Sequence, residues 1–262
     1  MMRRVALMLE YDGAAFFGWQ RQAHGVSVQS VLEAAASRLT GQPIACVAAG
    51  RTDSGVHALA QVVHMDLPER FSAVTIQDAL NFHLKPHPVA VVAAAFVDAD
   101  WSARFSAIGR AYRYDIRCRR ARLVLDRGRA WLVDHALDAA AMQAAADLFV
   151  GRHDFTSFRA TSCQAKSPVR TLDRLEVIQD GEWIRIHAAA RSFLHHQVRN
   201  MVGSLKLVGE GRWRVGQVAE ALEARNRAAA GPTAPPDGLY FVSVGYPVNP
   251  FAPAAPLTPS PS

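Results

Sequence analysis

The sequence predicts an α+β protein in which two related α/β subdomains share a mainly antiparallel sheet. Three observations lead there. Alternating apolar stretches recur along the chain, amphipathic stretches of helical period sit between them in a comparable order in each half, and Gly or Asp-Gly turns punctuate both. With 262 residues and 50% hydrophobic content, the chain can bury a substantial core.

In order, "RVALMLEYDG" (4–13) reads as a buried first strand closed by an Asp-Gly turn. In "VSVQSVLEAAASRLTG", Ser27 can cap a helix. Val28, Val31, Leu32, Ala35 and Leu39 repeat at helix spacing, and Gly41 stops it. "PIACVAAG" and "LAQVVHMD" are strands on either side of a turn that carries Arg51 and Asp53. "TIQDALNFHL" is a second helix, ended by the prolines of "KPHPVA", and "VAVVAAAFV" a strand. Beyond residue 105, "RAYRYDIRC" alternates as a strand and "DAAAMQAAADLFVG" is a helix closed by Gly151. "LDRLEVIQDGEWIRIHAAA" is a hairpin around Asp180-Gly181, with Ile184 and Ile186 on one side. "FLHHQVRNMVGSLKLVGEG" and "RVGQVAEALEARN" are helices, and "GLYFVSVGY" is the last strand. These readings divide the chain into an N-terminal α+β domain over 1–105, a C-terminal α+β domain over 106–246, and a disordered Pro/Ala/Ser tail over 247–262.

Charge and cysteine usage narrow the function classes. The net charge is +6, and six arginines crowd into "RCRRARLVLDRGR" (117–129). Arg104, Arg110, Arg113, Arg191, Arg199, Arg212 and Arg214 add to them, a distribution suited to tracking phosphates. Cys46, Cys118 and Cys163 are odd in number and lack pairwise spacing, which argues against a disulfide framework and a cysteine zinc site. The N-terminal stretch lacks the apolar core of a secretory signal, and no window approaches the roughly 18 apolar residues of a membrane span. A cytoplasmic location, with no membrane partner, is expected.

Three places can carry chemistry. Asp53 stands in a turn between strands, flanked by Gly50 and Gly55, where the backbone bends sharply and a substrate can come close. A carboxylate there can serve as nucleophile, general base or metal ligand, or can simply form an Asx-type turn. Arg51 could hold it ionised or grip a phosphate. Arg199 lies four residues after His195 beside an apolar stripe; it either snorkels to the surface or reaches a cleft to pair with a carboxylate. Tyr112 and Tyr114 share one strand face, flanked by arginines, where they could stack bases or merely fill a core. The histidines follow no metal-ligand spacing, and adjacent His195 and His196 would point to different sides of a helix, so no metal site is expected.

Taken together, these residues resemble the TruA family of tRNA pseudouridine synthases. "AAGRTDSGVHALAQVVH" is similar to the family signature. "YDGAAFFGWQRQ", "VSVQSVLEAA", "RAYRYDI", "GRHDFTSF", "KSPVRTL", "SFLHHQVRNMVG" and "GPTAPPDGLYF" resemble family blocks in family order, over roughly residues 4–246. The resemblance implies the pseudouridine synthase fold, with helices on one side of the sheet and an active-site cleft between the halves, and isomerisation of uridine to pseudouridine at positions 38, 39 and 40 of the tRNA anticodon stem-loop. It implies a homodimer that needs no metal and no organic cofactor. It makes Asp53 the nucleophile, Arg199 its partner, Tyr112 the wall against the target uracil, Arg51 an RNA contact for base flipping, and Leu239 an apolar pocket residue. Ser54 and Gln197 depart from the commoner alanine and methionine, which touches pocket packing rather than the reaction.

The chemistry agrees with that implication. Breaking C1′–N1, turning the base and forming C1′–C5 is redox-neutral, and an ionised aspartate can supply the electrons. A cation beside it keeps a buried carboxylate charged, and an aromatic wall offsets the stacking lost by a flipped base. Two rivals remain at this level: a metal-dependent nuclease or other hydrolase acting at Asp53, and a non-catalytic RNA-binding module.

Overall fold

The computed structural model describes residues 1–252. Ten strands form one sheet: β1 (Met2–Tyr11), β2 (Val47–Ala48), β3 (His57–Pro68), β4 (Val89–Phe96), β5 (Gly109–Cys118), β6 (Trp131–Val133), β7 (Gly151–Asp154), β8 (Val169–Asp180), β9 (Trp183–Ala190) and β10 (Leu239–Gly245). Five helices flank it: α1 (Val28–Thr40), α2 (Ala73–Leu84), α3 (Ala139–Asp147), α4 (Gln197–Gly209) and α5 (Gln217–Ala224). The main path runs β4-β1-β3-β10-β5-β9-β8-β7, with β2 beside β3 and β6 beside β5. Pairing is antiparallel except at β3–β10 and β5–β6. The expected mixed fold with a mainly antiparallel sheet is the one observed.

Local chemistry accounts for the elements. Ser27 caps α1 by accepting from Ser30 N and donating its own N–H to Ser30 Oγ, and Gly41 closes the helix in the left-handed region at φ 77°. In β9 buried and half-buried residues alternate along the strand, with Ile184 and Ile186 on the inner face. The hairpin with β8 turns at Gly181-Glu182, one residue later than the Asp180-Gly181 expectation.

Two main cores lie along the sheet. One gathers Val5, Leu7, Leu9, Leu32, Met65, Ile76 and Leu80 with Phe241; the other gathers Tyr114, Phe149, Phe155, Phe158, Ile186, Met201 and Leu205. Strand β10 joins them, pairing with β3 through Tyr240 and Phe241 and with β5 along its whole length. Tyr112 packs against both cores, at the seam.

Several elements differ from expectation. Helix α3 stops at Asp147 rather than at Gly151, which opens β7 with φ 106°. Helix α4 starts at Gln197, so Phe193 to His196 precede it, and α5 covers eight residues and ends on Arg225 in the left-handed region. Strands β6 and β7, of three and four residues, are too short to show a period in sequence. Of the tail expected disordered over 247–262, Phe251 packs against a small cluster with Trp101 and Tyr246, and residues 253–262 lie outside the described residues.

Candidate active site

The loop between β2 and β3 is held from several sides. Thr52 O accepts from Trp19 N at 3.0 Å, and Phe16 O accepts from Gly55 N at 3.4 Å. Tyr11 Oη and Thr52 Oγ1 are 2.8 Å apart, and burial pushes the Tyr11 phenol up to about 12, so it stays neutral. Gln61, fully buried on β3, donates Nε2 to Gly50 O at 2.7 Å. Two glycines allow this packing. A Cβ at Gly18, whose φ is 87°, would stand 2.8 Å from Thr52 O, and one at Gly50 would stand 3.1 Å from the Phe241 ring.

The clamped loop presents Asp53 with its side chain 22% exposed, a partly sheltered carboxylate rather than one in bulk solvent. Arg199, in the first turn of α4, donates Nη1 to Asp53 Oδ2 at 3.0 Å and Nε to Ala234 O at 2.7 Å. Its guanidinium is thereby fixed in direction, and its side chain is 12% exposed. Of the two sequence-level readings of Arg199, the structure selects the pairing with a carboxylate over snorkelling.

His195 and His196 overturn an expectation. They lie before α4, not on it, and His196 has a left-handed backbone at φ 63°. Helical spacing therefore does not set their rings apart. His195 Nε2 comes to 3.2 Å from Asp53 Oδ1, and His196 Nε2 to 3.3 Å from Asp53 Oδ2. Burial is the main cause that lowers the His196 pKa, against the opposing pull of Asp53, so the ring is neutral at pH 7. His57 sits at another corner, with Nδ1 accepting from Gly13 N and Nε2 against Gly128 O.

Tyr112 stands edge-on to Phe193 and Phe241, with ring centroids 5.1 and 4.9 Å away. Burial raises its phenol pKa, with Tyr11 and Asp53 adding to the effect. Its neighbour Tyr114 is fully buried and donates to Pro235 O at 2.8 Å, so the expected pair reduces to one tyrosine at the seam. Arg51 is exposed. Leu239 opens β10 opposite Tyr114 and belongs to the second core. Ser54 Oγ donates to Phe16 O at 3.3 Å, and buried Gln197 accepts from Leu194 N at 2.9 Å, so both departures from the family pattern stay inside the backbone framework of the site.

The arginines divide into two groups. Arg110 is spent on four carbonyls, those of Ala49, Arg104, Ala107 and Arg191, and burial lowers its pKa. Arg113 forks onto Asp115, and Arg117 and Arg129 pair with Glu182 and Asp12. Arg120, Arg122 and Arg127 project exposed from the 117–129 segment. The phosphate-tracking surface expected from composition is thus smaller than the arginine count suggests.

Sequence reasoning missed the histidine pair, Gln61 and the Phe193–Phe241 cradle of Tyr112. The arrangement offers a carboxylate with a directed cation on one side, two imidazoles on another, and an aromatic wall at the seam between the cores.

Comparison with known proteins identifies the family. A family model described as tRNA pseudouridine synthase matches residues 7–106 and 145–247. The chain is 66% identical over 252 residues to tRNA pseudouridine synthase A of Acidiphilium cryptum (strain JF-5), covering 95% of this chain and 99% of that protein. It is 60% identical over 245 residues to the proteins of the same name from Paramagnetospirillum magneticum and Rhodospirillum centenum, covering 94% of this chain and 96% and 100% of theirs. Among the described residues, no helix is long and apolar enough to cross a membrane. A clamped Arg-x-Asp turn facing an arginine from α4, on a chain matched nearly end to end by these relatives, places the protein in the TruA family of tRNA pseudouridine synthases, isomerases that act on tRNA.

Proposed function

We propose that this isomerase converts uridine to pseudouridine at positions 38, 39 and 40 of the anticodon stem-loop, with Asp53 as the reacting carboxylate. The ion pair between Asp53 and Arg199 carries this reading. An ionised carboxylate beside a guanidinium fixed by Ala234 O keeps its electron pair available and aimed. The reaction breaks C1′–N1, rotates the detached uracil and joins C1′ to C5; the proton leaving C5 is balanced by one gained at N1. Attack on the sugar carbon, attack on the base ring and assisted elimination at the sugar all begin from the same charged Asp53.

A base inside a stem-loop reaches Asp53 only after it is flipped out, and Tyr112 provides the surface that offsets part of the lost stacking. Arg51, exposed beside Asp53, contacts the RNA backbone as the nucleotide turns. Leu239 contributes an apolar contact at the start of β10. The functional unit is a homodimer, a state that equilibrium sedimentation reads directly. Two α+β domains, over 1–105 and 106–246, supply the Asp53 loop and the Tyr112 and Arg199 side respectively.

Asp53→Asn tests the assignment, since it keeps the shape of the side chain and removes its charge. The variant is expected to make no pseudouridine at positions 38–40, read by mapping the modification in tRNA, while binding tRNA within about tenfold of wild type. Full modification by the variant overturns the assignment.

A further inference from the structure

Asp53, His195 and His196 bring three donor atoms together, all within 4.8 Å of one another. We propose that they form a binding site for a borderline transition-metal cation, zinc or cobalt(II), and that the bound ion inhibits the enzyme by withdrawing Asp53 from the reaction. The inhibitory half rests on the reading of Asp53 as the reacting carboxylate; the binding half does not.

Geometry carries the site. Zinc holds imidazole nitrogens and carboxylate oxygens at about 2.0–2.2 Å, and a tetrahedral shell of that radius separates neighbouring donors by about 3.3–3.6 Å. The two histidine–aspartate separations are 3.2 and 3.3 Å, one to each carboxylate oxygen, and with the three donors within 4.8 Å of one another an ion draws them together by up to about 1.5 Å. Two imidazoles and one carboxylate are also the donor set of three-ligand zinc sites that leave a fourth position open. The left-handed backbone of His196 at φ 63° is what turns adjacent rings toward one carboxylate, a conformation that costs energy in a residue with a Cβ.

The surroundings set the affinity in both directions. His195 is fixed through its carbonyl, which accepts from Ala160 N at 2.9 Å, and its Nδ1 has Ser162 Oγ 3.5 Å away as an acceptor once Nε2 is given to the ion. The side chains of His195 and His196 are 42% and 29% exposed, so an ion reaches them from solvent. Arg199 opposes it, a fixed positive charge 3.0 Å from Asp53 Oδ2. The ion must share that oxygen or displace the guanidinium, which keeps its second anchor on Ala234 O. The site is therefore weak, and Arg199 is the group that weakens it.

Titration of the purified, metal-free full chain with zinc by calorimetry, and with cobalt(II) by visible absorbance, tests the proposal. One equivalent is expected to bind with a dissociation constant of about 1–100 µM, with tetrahedral cobalt bands. Asp53→Asn and His196→Ala should each weaken binding at least about tenfold, and Arg199→Met should tighten it by a similar factor. Absence of saturable binding, or binding that D53N and H196A leave unchanged, overturns the site. Saturating zinc should also suppress pseudouridine formation by the wild type, with recovery on adding EDTA; an undiminished rate with the site filled overturns the inhibitory role. Because binding is read without tRNA, its failure is distinct from failure of the nucleophile assignment, which D53N activity decides.

Discussion

Tyr112 meets two aromatic rings edge-on while packing against both cores, so its ring is positioned by packing and its hydroxyl is free of a structural duty of the kind Tyr114 has. If the ring face is what matters, Tyr112→Phe should keep kcat/KM within about threefold, whereas Tyr112→Ala should lose about 100-fold or more. Equal losses in single-turnover kinetics would assign the work to the hydroxyl. At the same scale, His64 is buried on β3 and accepts from Ala103 N at 3.1 Å, which requires the neutral ring. Burial foremost, then Arg4, lowers its pKa from 6.5 against the pull of Asp66. A histidine with a depressed folded pKa contributes stability that is complete above about pH 6.5 and lost as pH falls below it. Urea unfolding should show the wild type losing more stability than His64→Gln between about pH 7.5 and pH 5. Parallel curves would show that His64 titrates alike in the folded and unfolded states.

At the scale of elements, α4 is placed by a strap of chain over 231–234. A Cβ on Gly203 would stand 1.7 Å from Pro232 O, while Gly231 N donates to Ser204 Oγ at 2.9 Å and Ala234 N to Arg199 O at 3.1 Å. The strap that excludes a side chain at Gly203 is also the one that anchors the Arg199 guanidinium. Gly203→Ala should therefore cost at least about 2 kcal/mol in chemical denaturation, and should lower activity by moving Arg199. Gly41 is the control: its φ is 77° but a Cβ there meets nothing within 4 Å, so Gly41→Ala should cost only about 1–2 kcal/mol and leave activity intact. Activity that survives Gly203→Ala would separate the strap from the site. Arg110 does a similar structural task, tying the 104–107 loop, Ala49 and Arg191 to β5.

For the whole molecule, the sheet is completed by its last strand. β10 inserts between β3 and β5, so residues from opposite ends of the chain pair, as Tyr240 does with His57. Such a topology depends on contacts between residues far apart in sequence, which slow folding. The protein carries a net charge of +6, and within the 117–129 segment Arg117 and Arg129 are engaged by Glu182 and Asp12. The exposed Arg120, Arg122 and Arg127 are what remain of the 117–129 cluster for phosphates. tRNA affinity should fall steeply with salt, and reversing these three charges together should reduce the magnitude of the log–log salt slope by about 2–3. An unchanged slope in filter-binding assays would move the phosphate contacts elsewhere.

Much of this organisation is legible in the linear chain, because the signals involved are local. Helix α1 announces itself through Ser27, its apolar spacing and Gly41, and β9 through its alternation, since a side chain's direction within a regular element depends only on nearby neighbours. The Arg-x-Asp turn and Arg199 stand out through motifs that span almost the entire sequence. Strands of three or four residues are too short to show a period, and the end of α3 is decided by packing rather than by the nearest glycine. Only the tertiary structure brings Asp53 and Arg199 together across 146 residues, turns two adjacent histidines onto one carboxylate, and commits Arg110 to the backbone instead of to RNA. These outcomes depend on where β3, α4 and the 231–234 strap come to rest against each other, and that placement is set by the packing of the whole sheet and its cores, which no local spacing encodes.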